Sequence, residues 1–429
     1  MNRILSKNQN VENSTTKRHR KEKRFKFLCF GAVIIAISFL IILLSSLAYK
    51  GLSGFTKTTI QIPIYFNEEI IDPENTRDIA VIKKASFRKI FKQSLLQKFP
   101  EAKDNRKMYR NITKIFSRGS PYLLKNMVLN DISLIGKTIN IDLISSSEID
   151  QLRKNNININ VPENDRPVSD ATLKIYDQLN TEGVIKKRLN FSFFKYGDSR
   201  NPEEAGILGA LLGSIFTLII TLLLSFPIGV LTAIYLEEFA PKNKFTYFIE
   251  ININNLAAVP SIVFGLLGLA IFLNFFGLPR SVPLTGGLVL TLMTLPTVII
   301  SSRASLKAVP PTIREAALGL GASKLQAVFN HVVPSAAPGM FTGTIIGMAR
   351  ALGETAPLLL MGMVAFIVEV PTSIFDPATV LPAQIYLWAD SPERGFVEKT
   401  SAAIIVLVLF LIIMNSLAIW LRRKFEIRW

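Results

Sequence analysis

Six long apolar stretches punctuate this chain, separated by polar intervals of very unequal length. They run over residues 27–48, 205–234, 251–275, 285–306, 339–368 and 402–421. Each has about 20 residues or more, enough for a helix to cross a hydrocarbon core of ~30 Å. An even number of crossings puts both ends of the chain on one side. The interval 50–204 has no stretch that spans. It mixes charges, alternates like strands at 58–66 and 138–144, and shows helical periodicity at 87–96 and 171–179. A further alternation at Asn155–Asn160 reads as a strand. About 150 residues suffice for a core of their own. The pattern therefore predicts an all-α polytopic membrane protein with six transmembrane helices and an inserted α+β periplasmic domain.

Charge orients this layout. The formal net charge is +17, and much of the excess flanks apolar stretches, as the positive-inside bias requires, so it does not indicate nucleic-acid binding. The cytoplasmic set is the basic run Lys17–Lys26, residues 241–244, the interval carrying Arg303, Lys307, Arg314 and Lys324, and the tail Arg422–Lys424. The domains that follow are a cytoplasmic N-terminus (1–26), a first transmembrane helix (27–49), an external insertion (50–204), a transmembrane domain (205–421) and a cytoplasmic tail (422–429). Ser46-Leu47-Ala48 resembles a signal-peptide cleavage site. The apolar run before it exceeds the usual 7–15 residues, which favours an uncut anchor. The basic run is read as a topology anchor, with a contact to acidic lipid as the other reading.

Several chemistries find no residues. There is one cysteine, Cys29, and the two histidines are His19 and His331, so Cys- or His-based metal clusters are not expected. No G-x-x-x-x-G-K-[ST] phosphate loop occurs, and no nucleophile–base pair suggests an enzyme.

The most patterned polar interval is 310–334, PPTIREAALGLGASKLQAVFNHVVP. Thr312 and Glu315 have capping-box spacing behind two prolines, and Ser323 with Gln326 repeats it. Gly321 suits the left-handed turn that ends a helix, and Pro334 is expected to stop the second one. The spacing predicts two short helices broken at one glycine, tethered to the membrane at both ends. Such a rigid knob suits a partner's groove. Glu315, Ala316, Ala317 and Gly321, with Pro334 thirteen residues further on, resemble the EAA loop of ATP-binding-cassette importer permeases. His331 and Val333 stand where that family has isoleucine and leucine.

Prolines 227, 260, 296 and 357 interrupt the apolar stretches, where each frees a carbonyl and favours a kink. In the fifth stretch Gly339, Gly343, Gly347 and Ala351 form a small-residue ridge for helix packing. Beside it lie Arg350 and Glu354, one helical turn apart. Arg350 is about 16 Å from Gly339 along a helix, near mid-membrane. A charge there costs roughly 2.5–3.5 kcal/mol on insertion scales, so it should face the bundle interior or water. Pro357 should soften the helix at this pair by freeing the carbonyl of Gly353. Two readings stand: a structural ion pair, or an arginine that meets a permeating oxyanion while the glutamate holds it.

Residues 349–359, ARALGETAPLL, and 257–272, AAVPSIVFGLLGLAIF, resemble the phosphate-specific branch of these importers, the PstA-type permeases, over about 205–429. The resemblance implies a bacterial inner-membrane permease subunit of a phosphate importer. It implies a homologous second permease, a cytoplasmic ATPase dimer that carries the ATP and magnesium, and a periplasmic phosphate-binding protein, with no cofactor on this chain. Membrane lipid is the remaining partner, and nucleic acid is not one. By the same resemblance Thr312, Glu315, Ala316, Ala317, Gly321 and Pro334 couple to the ATPase. Arg350, Glu354 and, more weakly, Arg303 would line the path, with Gly343, Gly347 and Pro357 shaping the helix. Two other functions remain: a permease for sulfate or molybdate, and a membrane-anchored signalling or assembly protein acting through 50–204.

Overall fold

The computed structural model describes the backbone of residues 2–425 and the side chains of 18–420 and 422–424. The last four residues of the expected tail, 426–429, lie outside the described residues. Helix α1 (Asn2–Gly54) is one unbroken rod. Its apolar side chains between Phe25 and Leu44 are left exposed, as lipid-facing ones would be.

Residues 56–189 form a small mixed unit. A three-stranded antiparallel sheet has β1 (Thr56–Tyr65) between β2 (Thr138–Ile144) and β3 (Ile185–Leu189). Ile60, Ile62 and Ile64 of β1 point one way and are fully buried, the period-2 signature of a strand with one face on a core. Pro63 is tolerated because β3 pairs only as far as Ile60, so the side away from β2 is open where the proline lacks its N–H. Around the sheet lie α2 to α8 (Glu68–Ile71, Ile79–Lys84, Phe87–Lys98, Arg106–Thr113, Ser120–Asn130, Ser147–Arg153 and Asp170–Thr181). Phe87, Ile90, Phe91 and Leu95 of α4 recur at helical spacing and join the isoleucines of β1 in one core. Among the described residues there are no further strands: Asn155–Asn160 is a turn, with Asn155 at φ +60°.

The remainder is helical: α9 (Leu208–Ile234), α10 (Lys244–Ala257), α11 (Ser261–Gly268), α12 (Pro283–Ala308), α13 (Pro311–Gly319), α14 (Lys324–Ala327), α15 (Val333–Gly353), α16 (Ala356–Leu360), α17 (Leu381–Ala389) and α18 (Gly395–Phe425). Among the described residues five helical runs are long and apolar enough to cross a membrane. The third expected crossing, 251–275, is no single rod. Its helices α10 and α11 meet at 104°, with Pro260 as the N-cap of α11. Pro227 and Pro296, in contrast, lie inside unbroken helices.

Small residues set the packing. Gly339 and Gly343 of α15 lie against Ser305 and Ser301 of α12, and Gly347 faces Thr294 and Thr297. Gly229 of α9 abuts Val298. Backbones that approach this closely gain dispersion contact that lipid cannot supply. The 56–189 unit docks on the last helix through buried charge. Lys154 Nζ bonds Asp150 at 2.6 Å and Glu398 of α18 at 2.8 Å, and Asp150 accepts the Thr58 N–H.

Candidate functional site

Two polar centres stand out along α12 and α15, one at each level of the bundle. The lower one is the 310–334 loop. Pro310 is the N-cap of α13, and the proline-preset backbone starts the helix at Pro311. Thr312 therefore falls inside the first turn, and the expected Thr312/Glu315 capping box does not form. The helix ends at Gly319, and Gly321 has φ +89°, the left-handed region that only glycine enters cheaply. Ser323 and Gln326 do form a capping box, with bonds of 3.3 and 2.9 Å.

The second helix does not stop before Pro334. A π-helical turn, Val328–Val332, carries α14 into α15. Pro334 follows this turn closely, as the second residue of α15. The 30 residues Lys324–Gly353 thus make one helical run, about 45 Å long at 1.5 Å per residue. Glu315 and Ala316 are exposed, Ala317 is buried, and Leu320 is 91% exposed at the tip.

Charge holds this loop to two spans. Arg314 donates from Nε to Glu238 at 3.0 Å and from Nη2 to the same carboxylate at 2.6 Å. It also donates to the carbonyls of Leu306 and Val309, each at 2.8 Å. Glu238 lies in a π-helical turn, Tyr235–Phe239, that ends α9. Arg303 pairs with Glu250 of α10 at 2.7 Å and with Glu237 at 3.4 Å. Its guanidinium is thereby committed to joining α12, α10 and the end of α9. Sequence reasoning passed over Glu237, Glu238 and Glu250. A signal was present: two adjacent acids at the expected cytoplasmic end of a span, where basic residues are the rule.

The upper centre is Arg350 and Glu354. The 339–368 stretch is not one span: α15 ends at Gly353, Glu354 is extended as its C-cap (φ −81°, ψ 120°), and α16 begins at Ala356. Pro357 lies in the first turn of α16 and packs on Gly265 of α11. The chain is broken at the pair rather than softened there. Arg350 Nε stays 3.5 Å from Glu354 Oε1, with side chains 49% and 21% exposed. Gly347 faces Thr294 and Thr297, which bracket the midpoint of α12, so Arg350 lies about 4.5 Å beyond that midpoint. The arginine does not face the interior of this chain. It lies on an open side, near mid-span, with one loose contact.

Among the described residues no group of three or more His, Cys, Asp or Glu side chains could hold a metal ion. A bundle of kinked and broken helices with polar groups at mid-span and a charged loop at one end is the build of a membrane transport component. Residues 205–428 match the binding-protein-dependent transport system inner membrane component family, and the chain belongs to it. Residues 12–163 match a domain of unknown function (DUF3333). The chain is similar to the probable ABC transporter permease protein YqgI of Bacillus subtilis (strain 168), 32% identical over 250 residues, which are 54% of this chain and 83% of the relative. It is also similar to the phosphate transport system permease protein PstA of Mycobacterium leprae (strain TN), 34% identical across 48% of this chain and 68% of that one. PstC of Haemophilus influenzae, likewise named a phosphate transport system permease protein, is 32% identical across 49% and 73%.

Proposed function

We propose that this chain is one of two transmembrane permease subunits of an ATP-driven importer of inorganic phosphate. Its partners in this reading are a homologous permease, a cytoplasmic ATPase dimer and an external phosphate-binding protein. The names of the relatives support phosphate. The observation that carries the reading is Arg350, a half-exposed arginine near mid-span with a single 3.5 Å contact. A guanidinium with open donors matches a tetrahedral oxyanion in charge and geometry. Glu354 offsets that charge between passages and accepts the O–H of a protonated phosphate, a bond that sulfate and molybdate lack at neutral pH.

The loop 310–334 serves as the coupling element, with Leu320 and the exposed face of α13 seated in the ATPase. Residues 1–26 and 422–429 lie on that same cytoplasmic side, and the 50–204 insertion lies outside. Because Lys324–Gly353 is one helical run, a tilt imposed at the loop is carried along about 39 Å of helix from Lys324 to Arg350. Alternating access then follows from rigid segments rocking between two packed arrangements.

Uptake of labelled phosphate into vesicles holding both permeases and the ATPase, with the phosphate-binding protein supplied on the side of the 50–204 insertion, tests this reading. The expected result is ATP-dependent uptake that a hundredfold excess of sulfate leaves intact. Full competition by sulfate would assign the wider oxyanion class. ATP-independent or absent uptake would overturn the reading.

A further inference from the structure

Arg314 and Glu238 do more than decorate the loop. Arg314, on α13, bonds the last turn of α12 and the end of α9 at once. Its donors are shared between a carboxylate that is only 8% exposed and two carbonyls at the C-terminal end of α12, those of Leu306, which also takes the Val309 N–H, and of Val309 itself. Lysine cannot replace it, since an ammonium has no planar fork to serve an acid and two carbonyls together. On the receiving side, Glu238 sits in the π-helical turn Tyr235–Phe239, an irregularity that recurs at functional positions in helices. The same turn is met from α14 by Lys324, whose Nζ is 5.3 Å from the Phe239 ring centroid. Glu237, one residue before, takes Arg303 of α12. The coupling loop is therefore bonded to the end of α9 by directional, charged contacts, over an apolar layer that includes Leu236, Val309, Val328 and Val332.

We propose that the Arg314–Glu238 pair is a positioning joint that delivers movement of the coupling helix α13 to α9. Without it, the ATPase would still cycle against the loop while the first helix of the transport bundle stayed behind. This inference rests on the functional reading above. Arg314 acts through helix placement and touches no substrate.

The test uses the full chain in vesicles with its companion permease, the ATPase and the phosphate-binding protein, scoring phosphate uptake and ATP hydrolysis together. Three variants are compared: Glu238→Gln, Arg314→Gln, and both together. The double variant removes the buried unpaired charge that either single change leaves, so it keeps a folded protein under test. Expected is an uptake loss of about tenfold or more in each, with at least half of the hydrolysis retained. The double should be no worse than the singles, because residues of one joint do not act additively. Unchanged uptake per ATP, including a parallel fall of both, overturns the joint; so does loss of the ATPase from the purified variant complex. Wild-type vesicles without ATP-dependent uptake would instead overturn the functional reading on which the joint stands.

Discussion

Two arginine–glutamate pairs, made of the same groups, sit at opposite ends of one helical system and differ in every physical respect. Arg314 holds Glu238 through two nitrogens, at 2.6 and 3.0 Å, and spends its other donors on carbonyls. Arg350 reaches Glu354 once, at 3.5 Å, and is half exposed. The first pair has little left to offer a ligand. The second has most of its hydrogen-bonding capacity free, in a place where an idle charge is costly to keep. A saturated pair fixes geometry, whereas an unsaturated one awaits a partner.

The sharpest way to break this contrast is to neutralise each arginine in turn. Arg350→Gln is expected to lower phosphate uptake about a hundredfold while moving the melting temperature little, since an exposed pair contributes about 0–1 kcal/mol. Arg314→Gln should instead lower the melting temperature by roughly 10 °C, because removing one partner of a buried pair costs about 3–5 kcal/mol. Thermal unfolding in detergent beside uptake in vesicles separates the two. Similar melting shifts for both would erase the distinction.

Next in size is the connection between the two centres. A Cβ on Gly343 would overlap Ser301 of α12, whereas one on Gly353 meets nothing within 4 Å. Gly343→Leu should therefore destabilise by about 1–3 kcal/mol by forcing α15 off α12, and Gly353→Ala should change the melting temperature by less than ~1 °C.

Glu203, at the edge of the docked insertion, gives a third limit: an acid without a cation. Burial, helped by the nearby Glu204 and Glu148 charges, pushes it up to about 7. The folded state then holds a proton that the unfolded chain loses above its ordinary value of 4.5, so stability falls as pH rises from about 4.5 to 7 and stays low above that. The insertion should melt about 5 °C lower at pH 8 than at pH 5, and Glu203→Gln should flatten that profile. The most local is Gly321→Ala, which forces a side chain to φ +89° and should cost about 1–2 kcal/mol, confined to the loop tip. Hydrogen exchange at Leu320 and Ala322 reads that change.

How much of this was legible in the sequence depended on range. Strand β2 and helix α4 follow from side chains a few residues apart, and the left-handed turn at Gly321 needs only a glycine behind a helix. The Ser323/Gln326 box is equally local. The Thr312/Glu315 box failed because its spacing competed with Pro310 and Pro311, which start the helix earlier. Pro334 misled in the opposite sense: a π-helical turn lets the helix run on, and no residue pattern announces one. The break at Gly353 was read as a kink because hydropathy continues through it to Val368, although α16 folds away to pack on α11. Glu238 and Glu250 were passed over for another reason, the adjacent acids at the end of α9 being the one local sign. Their partners lie 76 and 53 residues away, beyond any periodicity.

The central claim is that the 310–334 loop lies on the ATPase side and grips that subunit. Cys29 is the one cysteine, so Ala316→Cys in a Cys29→Ser background gives a single reporter on the exposed face of α13. In intact cells an impermeant thiol reagent should leave it unlabelled, and after permeabilisation a bifunctional cross-linker should join it to the ATPase. Labelling from outside the intact cell would contradict the account.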